Sequence, residues 1–326
     1  MIKVGINGFG RIGKMLTKIL LQDTNIDLIT INDLADIETQ AHLFKYDSIH
    51  GKFKGSLQVD GQQLKIDRFN INYSSEPNPA DIQWDNVDIV IEATGKFTTR
   101  IDASHHLRNE ANKVIISAPS SSTDVKSILV GINEEILADS DRIVSNASCT
   151  TNCAGPLIKI LDDHCGIESA YITTVHSYTG DQRLHDAPHK DLRRARAGAL
   201  SIIPTSTGAA KAMTKIFTHL DGKIGGCGIR VPVANGSLTD ISCIVKNPLT
   251  IDDLNATFHD YASNKMTGIL EYNDEPIVSR DIIGNSHSCI FDAPLTSVIG
   301  NMVKVVGWYD NESGYSHRLH DLIRLL

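Results

Sequence analysis

The glycines near the start of the chain constrain its fold more than any other feature. Gly8, Gly10 and Gly13 form the pattern G-x-G-x-x-G. They follow the short apolar run IKVGIN (2–7) and precede RIGKMLTKILLQ (11–22), in which apolar residues recur at helical spacing. A strand, a glycine turn and a helix in this order predict a dinucleotide-binding unit, because the glycines let a pyrophosphate approach the N–H groups at the helix start.

Asp33 strengthens this prediction and indicates which cofactor binds. It ends the next apolar run, IDLITIND (26–33), about 20 residues beyond the glycines, where the dinucleotide fingerprint requires an acidic residue. A carboxylate at this point accepts hydrogen bonds from ribose hydroxyls and repels a 2′-phosphate, so it favours NAD over NADP. The alternative is a tight turn beside an unrelated surface aspartate, which leaves the agreement of strand, glycines, helix and acid unexplained.

The two halves of the chain have different hydrophobic patterns. In the first half, near-continuous apolar runs at 87–95, 112–119 and 141–148 alternate with helical segments, which predicts a parallel sheet covered on both faces. Beyond Cys149 the β-rich runs are longer, and a Gly-Asn pair at 300–301 separates two apolar arms as in a hairpin. We therefore predict an α/β protein with a Rossmann-type, doubly wound first domain. An α+β domain with a mostly antiparallel sheet follows, and the chain ends in an amphipathic helix.

Composition narrows the classes of partner. The chain has 326 residues and a formal net charge of -8, which argues against a nucleic acid as its main partner because binding a phosphate backbone needs a basic face. Its six cysteines are scattered through a large chain, as in reduced cytosolic proteins. We see no signal-peptide pattern, and no apolar run approaches the ~20 residues of a membrane span. We expect a cytoplasmic protein that does not bind membranes.

The stretch SNASCTTNC contains the strongest candidate nucleophile. Cys149 lies where a strand pattern passes into a helical one, and a helix N-terminus stabilises a thiolate. A zinc site would need further ligands at zinc spacing, and a disulfide to Cys153 would have poor geometry across one helical turn. The plainest alternative is a small core residue, which we predict for the other four cysteines: Cys165, Cys227, Cys243 and Cys289. We assign Cys153 to support of the helix and expect no metal.

A cysteine nucleophile needs a base, and the chain offers 13 histidines. His176 is distinctive because it ends the apolar strand YITTV, where a sheet can hold it rigidly. His164, His185 and His189 lie in polar surroundings, which favours solvated side chains. The pattern favours His176 without excluding the others.

Taken together, the sequence blocks resemble one family. INGFGRIG, SNASCTTNC, TTVHSYTGDQ, PHKDLRRARAGALSIIPTSTGAAKA, RVP and WYDNESGYSH occur in the order found in phosphorylating glyceraldehyde-3-phosphate dehydrogenases of type I. The resemblance covers essentially the whole chain. It implies an NAD-binding domain over 1–148, a catalytic domain over 149–310, and a C-terminal helix over 311–326 that packs back on the first domain.

The resemblance also implies a reaction of glycolysis and gluconeogenesis. The Cys149 thiolate would attack the aldehyde of glyceraldehyde 3-phosphate, and His176 would take the proton as hydride leaves the thiohemiacetal for the nicotinamide of NAD. Inorganic phosphate would then cleave the resulting thioester to give 1,3-bisphosphoglycerate. The segment 177–203 matches a loop that reaches a neighbouring subunit's cofactor in this family, which implies a homotetramer.

The resemblance carries over three groups of binding residues. For the substrate phosphate they are Thr179, Asp181 and Arg230, with Asp181 orienting Arg230 rather than touching an anion. For inorganic phosphate they are Ser148, Thr150, Arg194, Thr207 and Gly208. For NAD they are Asn7, Gly8, Phe9, Gly10, Arg11, Ile12, Asn32, Asp33, Thr94, Gly95, Ser117 and Asn311.

Three other functions stay open at this point. Erythrose-4-phosphate dehydrogenases resemble the chain but usually lack its Thr-Gly-Asp run at 179–181. Non-phosphorylating aldehyde dehydrogenases resolve the thioester with water, and the phosphate residues weigh against them. A non-catalytic NAD-binding interaction protein would not need Cys149, His176 and Arg230 together. Ala187, where NAD-preferring members often carry a larger apolar residue, leaves strict exclusion of NADP open.

Overall fold

The computed structural model describes residues 1–108 and 111–326, and it divides the chain into two compact units. Unit 1 comprises Met1–Val130, Glu134–Ala147 and Ser316–Leu326. Unit 2 comprises Gly131–Asn133 and Ser148–Tyr315. The two units have different kinds of sheet, and the predicted fold class is confirmed in both.

Unit 1 is built on a nine-stranded sheet. Its strands are β1 Ile2–Asn7, β2 Ile26–Asn32, β5 Leu57–Asp60, β6 Gln63–Ile66, β7 Phe69–Ser74, β8 Ile89–Glu92, β9 Lys113–Ile116, β10 Lys126–Ser127 and β11 Ile143–Ser145, and the short pair β3 Tyr46–Asp47 and β4 Gly51–Lys52 lies outside it. The helices are α1 Arg11–Leu20, α2 Ile37–Lys45 and α3 Arg100–Ser104. The order is β10-β11-β9-β8-β1-β2-β7-β6-β5, parallel from β10 to β7 and antiparallel at the β7-β6-β5 edge.

The central strands of unit 1 are apolar because both faces of the sheet are covered. β8 is fully buried along its length, and Trp84, Val90 and Val114 belong to one buried hydrophobic cluster. The C-terminal segment of the chain contributes to this unit, where Lys113 Nζ donates to Leu326 O at 2.9 Å. The parallel strands place the ends of β1, β2, β8 and β9 along one edge of the sheet.

Unit 2 contains an eight-stranded, mostly antiparallel sheet. Its strands are β12 Ile167–Ser177, β13 Ile203–Thr205, β14 Ile224–Val231, β15 Ser237–Val245, β16 Leu270–Asn273, β17 Cys289–Asp292, β18 Ser297–Ile299 and β19 Met302–Tyr309. Its helices are α4 Cys149–Cys165, α5 Ala209–Ile216 and α6 Ile251–Asp260. The last helix of the chain, α7 Ser313–Leu325, begins in unit 2, and its residues from Ser316 onward belong to unit 1. The order is β13-β14-β12-β15-β19-β17-β16, with β18 paired to β19 in the predicted hairpin; β12 and β14 run parallel, as do β16 and β17.

α4 carries the candidate nucleophile. The helix begins at Cys149 and continues through Pro156 to Cys165. Ser148 caps it in an extended conformation, with its side chain accepting from Thr151 N. Gly166 follows at φ 68°, a conformation that suits glycine at the end of a helix. No helix within the described residues is both long and apolar enough to span a membrane.

Candidate active site

The turn before α4 presents Cys149. Ala147 adopts φ 53°, which is strained for a residue with a side chain and is often found at functional sites. Ser148 then returns to extended backbone and caps the helix, so that Cys149 occupies its first turn. Cys149 is partly exposed, whereas Cys153 one turn later is fully buried. The helix therefore gives its two cysteines different surroundings.

His176 faces the sulfur of Cys149. It lies one residue before the end of β12, and its Nε2 is 3.5 Å from Cys149 Sγ. β12 pairs in parallel with β14 in a register that sets His176 beside Arg230. Arg230 Nη1 lies 2.5 Å from His176 Nδ1 and also donates to Ser177 O at 2.8 Å. The predicted nucleophile and base are thus adjacent, and a guanidinium lies against the far side of the imidazole.

His176 Nδ1 has two neighbours, one of which requires Nδ1 to carry a proton and the other of which requires it to carry none. Ser177 O, 2.8 Å away, can only accept a hydrogen bond, whereas Arg230 can only donate one. Nδ1 satisfies one of them at a time. The tautomer of His176, and with it the ability of Nε2 to take a proton from the reacting sulfur, therefore depends on where Arg230 lies.

The electrostatics of the pair favour the neutral forms. Burial raises the pKa of Cys149 to about 11, although the charge of Arg230 and hydrogen bonds from Thr150 act in the opposite direction. Burial and the charge of Arg230 lower the pKa of His176 to about 4. A thiol and a neutral imidazole at 3.5 Å suit general-base activation, in which the proton moves to His176 as the sulfur attacks.

Tyr309 supports both halves of this pair, and the sequence pattern did not predict it. Its buried ring lies 5.9 Å from the His176 ring at 75°, an edge-to-face arrangement. Its hydroxyl lies 2.9 Å from Thr150 Oγ1 on α4 and 2.8 Å from Thr174 Oγ1 on β12. The sequence feature that could have indicated Tyr309 is its position in WYDNESGYSH, a block from which only Asn311 was predicted as a site residue.

A second group of charged side chains surrounds Arg194. Asp181 Oδ2 accepts from Arg194 Nη1 at 2.6 Å, and Thr179 Oγ1 donates to Asp181 Oδ1. Arg194 also donates to Ser206 O at 3.4 Å, beside the predicted phosphate residues Thr207 and Gly208. These two residues precede α5, with Gly208 at its N-cap position.

Two details of the predicted phosphate sites differ from expectation. Asp181 hydrogen-bonds Arg194 rather than orienting Arg230, which acts on Asp181 through its charge. Ser148 and Thr150 were expected as phosphate donors, yet the Ser148 hydroxyl caps α4 and the Thr150 hydroxyl contacts Tyr309. The helix start competes with an anion for these hydroxyls because it needs its own side-chain partners.

In unit 1 the three glycines occupy positions with different requirements. Gly8 has φ +97°, and a Cβ there would lie 2.7 Å from Thr94 N. A Cβ on Gly13 would lie 2.4 Å from Gly8 O, so this glycine allows α1 to pack on the turn. A Cβ on Gly10 would meet nothing within 4 Å, which leaves open space at the N-terminus of α1.

The predicted acid contacts this turn. Asp33 Oδ2 accepts from Phe9 N at 2.7 Å, and Oδ1 accepts from Ala35 N at 3.0 Å. Arg11 is exposed and pairs with Asp47 at 3.0 Å. Phe9 is fully buried and its ring stacks on Phe44, so this side chain anchors the glycine turn to the core.

A buried network that the sequence pattern did not predict joins the strand ends beside the glycines. Glu92 ends β8 and accepts from Asn7 Nδ2 at 2.6 Å and from Thr94 N at 2.9 Å. His106 Nε2 lies 3.0 Å from Glu92, and Trp84 donates to His106 Nδ1 at 3.1 Å. The sequence feature that could have indicated this network is Glu92, a single acid directly after the apolar residues of VDIVIEATG.

The predicted cofactor residues of unit 1 therefore divide into two kinds. Asn7, Phe9 and Asn32 have buried side chains that hold the strand ends, and Asn32 Nδ2 donates to Asn7 Oδ1 at 2.9 Å. Gly10, Arg11, Ile12, Thr94, Gly95 and Ser117 are partly or fully exposed at the same edge. The Ser117 hydroxyl oxygen is nevertheless buried and has no hydrogen-bond partner within the described chain. This orphaned hydroxyl and the open space at Gly10 fit a bound dinucleotide.

The remaining cysteines follow expectation except one. Cys165, Cys243 and Cys289 are buried, whereas Cys227 is partly exposed. Cys153 Sγ donates to Gly307 O at 3.6 Å, which ties α4 to β19.

Comparisons with known proteins match this arrangement. The family model "Glyceraldehyde 3-phosphate dehydrogenase, NAD binding domain" matches residues 2–100, and the model of the C-terminal domain matches residues 148–311. The chain is 50% identical over 326 residues to "Glyceraldehyde-3-phosphate dehydrogenase 2" of Streptomyces avermitilis, covering 98% of the chain and 97% of that protein. It is 48% identical to the glyceraldehyde-3-phosphate dehydrogenases of Priestia megaterium, over 100% of the chain and 98% of the relative, and of Geobacillus stearothermophilus, over 98% and 97%.

Proposed function

The chain belongs to the glyceraldehyde-3-phosphate dehydrogenase family, and from this premise we propose that it oxidises glyceraldehyde 3-phosphate to 1,3-bisphosphoglycerate, using NAD and inorganic phosphate. The observation that carries the proposal is the Cys149 Sγ–His176 Nε2 pair at 3.5 Å, with Arg230 against the imidazole and a second arginine, Arg194, on Asp181. A thiol with a base suits acyl transfer, and arginine suits phosphate recognition because its planar fork matches phosphate oxygens.

In this proposal Cys149 is the nucleophile and His176 the general base. The sulfur attacks the aldehyde carbon while its proton passes to Nε2 and from there to the carbonyl oxygen, which gives a thiohemiacetal and leaves His176 neutral again. Nε2 then removes the hydroxyl proton of the thiohemiacetal as hydride leaves the same carbon, and a thioester on Cys149 results. Inorganic phosphate attacks the thioester carbon, the C–S bond breaks, and the departing sulfur takes the proton from Nε2, which restores the Cys149 thiol and the neutral imidazole. NAD supplies the hydride acceptor when it is bound.

In this proposal each arginine binds a different phosphate group. Arg230, held against His176, binds the substrate phosphate together with Thr179. Arg194, oriented by Asp181, binds the attacking phosphate with Thr207 and the N–H groups at Gly208. Ser148 and Thr150 join the second site if their hydroxyls exchange their present partners for the anion. The separate partners of the two arginines, the imidazole for Arg230 and Asp181 for Arg194, support this division.

Most of the residues proposed to bind the cofactor belong to unit 1. Gly8, Gly10 and Gly13 shape the turn for the pyrophosphate, and Asp33 takes the ribose hydroxyls. The remaining proposed cofactor residues are Asn7, Phe9, Arg11, Ile12, Asn32, Thr94, Gly95 and Ser117, and Asn311 is proposed to bind the nicotinamide carboxamide. On this basis 1–148 is the NAD-binding domain, 149–310 the catalytic domain, and 311–326 a helix that returns to the first domain.

We further propose a cytoplasmic homotetramer. The segment 177–203 supports this state because it exposes large apolar side chains: Leu184 is 76% exposed, and Leu192 and Leu200 are each 82% exposed. Isolated exposed leucines are common, but three in one segment suit an interface. Sedimentation at micromolar concentrations would test it, and a monomer would contradict it.

One experiment tests the activity and the nucleophile together. NADH formation is measured with glyceraldehyde 3-phosphate, with and without inorganic phosphate, for the wild type and Cys149→Ser. We expect sustained turnover only with phosphate and a loss of at least about 10³-fold in the variant. Cys227→Ser, which alters a partly exposed cysteine on β14, is the matched control and should keep wild-type activity.

Each arm can contradict a different part of the proposal. Multiple turnovers without phosphate would exclude the phosphorylating reaction. Unchanged turnover in Cys149→Ser would exclude the nucleophile. Repeating the assay with erythrose 4-phosphate and with NADP ranks the competing substrates and cofactors. A higher kcat/KM for erythrose 4-phosphate than for glyceraldehyde 3-phosphate would make the four-carbon aldehyde the preferred substrate.

A further inference from the structure

Three neighbouring strands of unit 2 bring buried polar residues together at one edge of the sheet. Ser177 ends β12, Ser237 begins β15, and Asn311 follows β19 by two residues. The three strands are adjacent in the order β12-β15-β19, and Ser237 pairs with Tyr309. Ser177 is 0% exposed, Ser237 1% and Asn311 7%, so the polar atoms of these side chains that face into the protein need hydrogen-bond partners there.

Three donors converge on one atom of this group. Ser177 Oγ donates to Asn311 Oδ1 at 2.9 Å, and Ser237 Oγ donates to the same oxygen at 3.0 Å. Gly236 N donates to it at 3.2 Å. Ser237 Oγ also accepts from Ser177 N at 3.1 Å, so the two serines are tied to each other as well as to the amide.

These contacts fix which way round the Asn311 amide lies. A backbone N–H can only donate, so the amide atom facing Gly236 has to be the oxygen. Nδ2, with its two N–H donors, therefore points away from the serines, and no described residue accepts a hydrogen bond from it. Asn311 thus offers a donor, and only a donor, to a ligand.

The backbone at Asn311 is fixed by its neighbour. Asp310 accepts from Glu312 N and Ser313 N at 2.8 Å each, from Asn235 Nδ2 at 2.9 Å and from Gly284 N at 2.7 Å. With the backbone held in this way, the remaining freedom of Asn311 is rotation about its two side-chain bonds. The serine hydroxyls act on that rotation.

We propose that Ser177 and Ser237 are positioning residues for hydride transfer, because they hold the Asn311 amide with its N–H donors toward the carboxamide oxygen of the nicotinamide. This inference rests on the proposed function. Ser177 also connects this group to the base, since its carbonyl lies 2.8 Å from His176 Nδ1 and accepts from Arg230. One residue therefore contacts both the amide that orients the ring and the imidazole that takes the proton.

Binding measurements separate this role from a structural one. Dissociation constants for NAD and for ADP-ribose, which lacks the nicotinamide, are measured by calorimetry for the wild type, Ser177→Ala, Ser237→Ala and the double variant. We expect each single variant to bind NAD about threefold and the double variant about tenfold more weakly, since each loses a neutral hydrogen bond. ADP-ribose affinity should be unchanged.

Thr239→Val is the matched control. Thr239 lies two residues along β15 on the same side of the strand, is fully buried, and its hydroxyl has no partner within the described chain. Valine keeps its volume, so NAD affinity should match the wild type. A loss of NAD affinity here as large as in Ser237→Ala would overturn the inference.

The face of the ring that receives the hydride gives a second readout. NADH formed from 1-deuterated aldehyde is analysed by NMR for the position of deuterium at C4. The wild type should label one face only, and the double variant should label both. Equal weakening of NAD and ADP-ribose, or an unchanged label, would overturn the positioning role. A wild type that binds no NAD would instead overturn the proposed function.

Discussion

The two units form their sites in different ways. In unit 1 the essential features are backbone features that lie within a few residues of one another, such as the φ of +97° at Gly8 and the open N-terminus of α1 after Gly10. In unit 2 side chains meet from distant positions, with Cys149 and His176 27 residues apart and Thr150 and Tyr309 159 apart. A backbone site is visible in a short motif, whereas a side-chain site depends on sheet register.

The two units also differ in the kind of charge that their sites provide. Unit 1 offers an anion the partial positive charge of a helix end, which does not titrate. Unit 2 relies on groups whose protonation the protein shifts, with the pKa of His176 lowered to about 4 and that of Cys149 raised to about 11. Substitutions in unit 1 should therefore act on affinity and stability, and those in unit 2 on pH dependence.

Among substitutions that keep the nucleophile, Arg230→Gln should have the largest effect. It removes the proposed contact to the substrate phosphate, and the loss of a charge-assisted contact predicts a decrease of about 100-fold or more in kcat/KM. It also removes a positive charge beside His176, so the pKa of His176 should rise from about 4 toward its ordinary 6.5. His176 then protonates at higher pH, and the acid limb of the pH–rate profile moves upward.

Arg230→Lys separates the two effects of this arginine. Lysine keeps the charge but not the planar fork, so the acid limb should stay near its wild-type position while KM for the substrate rises. A profile for Arg230→Gln with an unshifted acid limb would contradict the electrostatic role of Arg230. The measurement is kcat/KM across the pH range at saturating NAD.

Gly13→Ala should have the next largest effect, and its site is in the other unit. The new Cβ would lie 2.4 Å from Gly8 O, so α1 or the turn has to move. We expect NAD affinity to fall by about 100-fold and the free energy of unfolding to decrease by about 1–3 kcal/mol. The rate of Cys149 alkylation by iodoacetamide, which reports on unit 2, should keep its wild-type pH dependence.

Gly10→Ala is the control for this substitution. A Cβ on Gly10 meets nothing within 4 Å, so the variant should unfold at the wild-type denaturant concentration while binding NAD more weakly. Equal destabilisation by both alanines would show that the turn does not distinguish the two positions. Calorimetry and urea unfolding provide the two measurements.

This contrast explains how much of the molecule could be predicted. The strand, glycine turn and helix at the N-terminus are where the motif predicts them, with β1 at Ile2–Asn7 and α1 starting at Arg11. The sequence also predicted the antiparallel character of unit 2 and the β18–β19 hairpin. These features depend on local conformation and periodicity, which neighbouring residues determine.

The details that the sequence did not predict depend on pairing between distant segments. That Asp181 hydrogen-bonds Arg194 follows from the path of an irregular loop, for which no periodicity exists. The placement of Tyr309 between Thr150 and Thr174 requires the register of β12, β15 and β19. Glu92 could have been noticed, because a single acid in a buried apolar strand needs a partner.

Two buried tyrosines allow the comparison to be made with one kind of substitution. Tyr309 contacts the hydroxyls of Thr150 and Thr174, whereas Tyr73 in unit 1 donates to Ala35 O at 2.7 Å. Tyr309→Phe leaves two buried hydroxyls without this partner and should lower the free energy of unfolding by about 1–3 kcal/mol. Tyr73→Phe removes one bond to a carbonyl and should cost about 1 kcal/mol.

The catalytic consequences should differ more than the stabilities do. Without Tyr309 the Thr150 hydroxyl loses its orientation beside Cys149, so KM for inorganic phosphate should rise several-fold in Tyr309→Phe and stay unchanged in Tyr73→Phe. Urea unfolding and initial rates at varied phosphate provide the two measurements. A rise in the phosphate KM of Tyr73→Phe equal to that of Tyr309→Phe would mean that general loosening, and not the hydroxyl contacts of Tyr309, controls the phosphate step. A rise confined to Tyr309→Phe would place Thr150 in that step despite its present bond to Tyr309, because only that variant changes what the hydroxyl can reach.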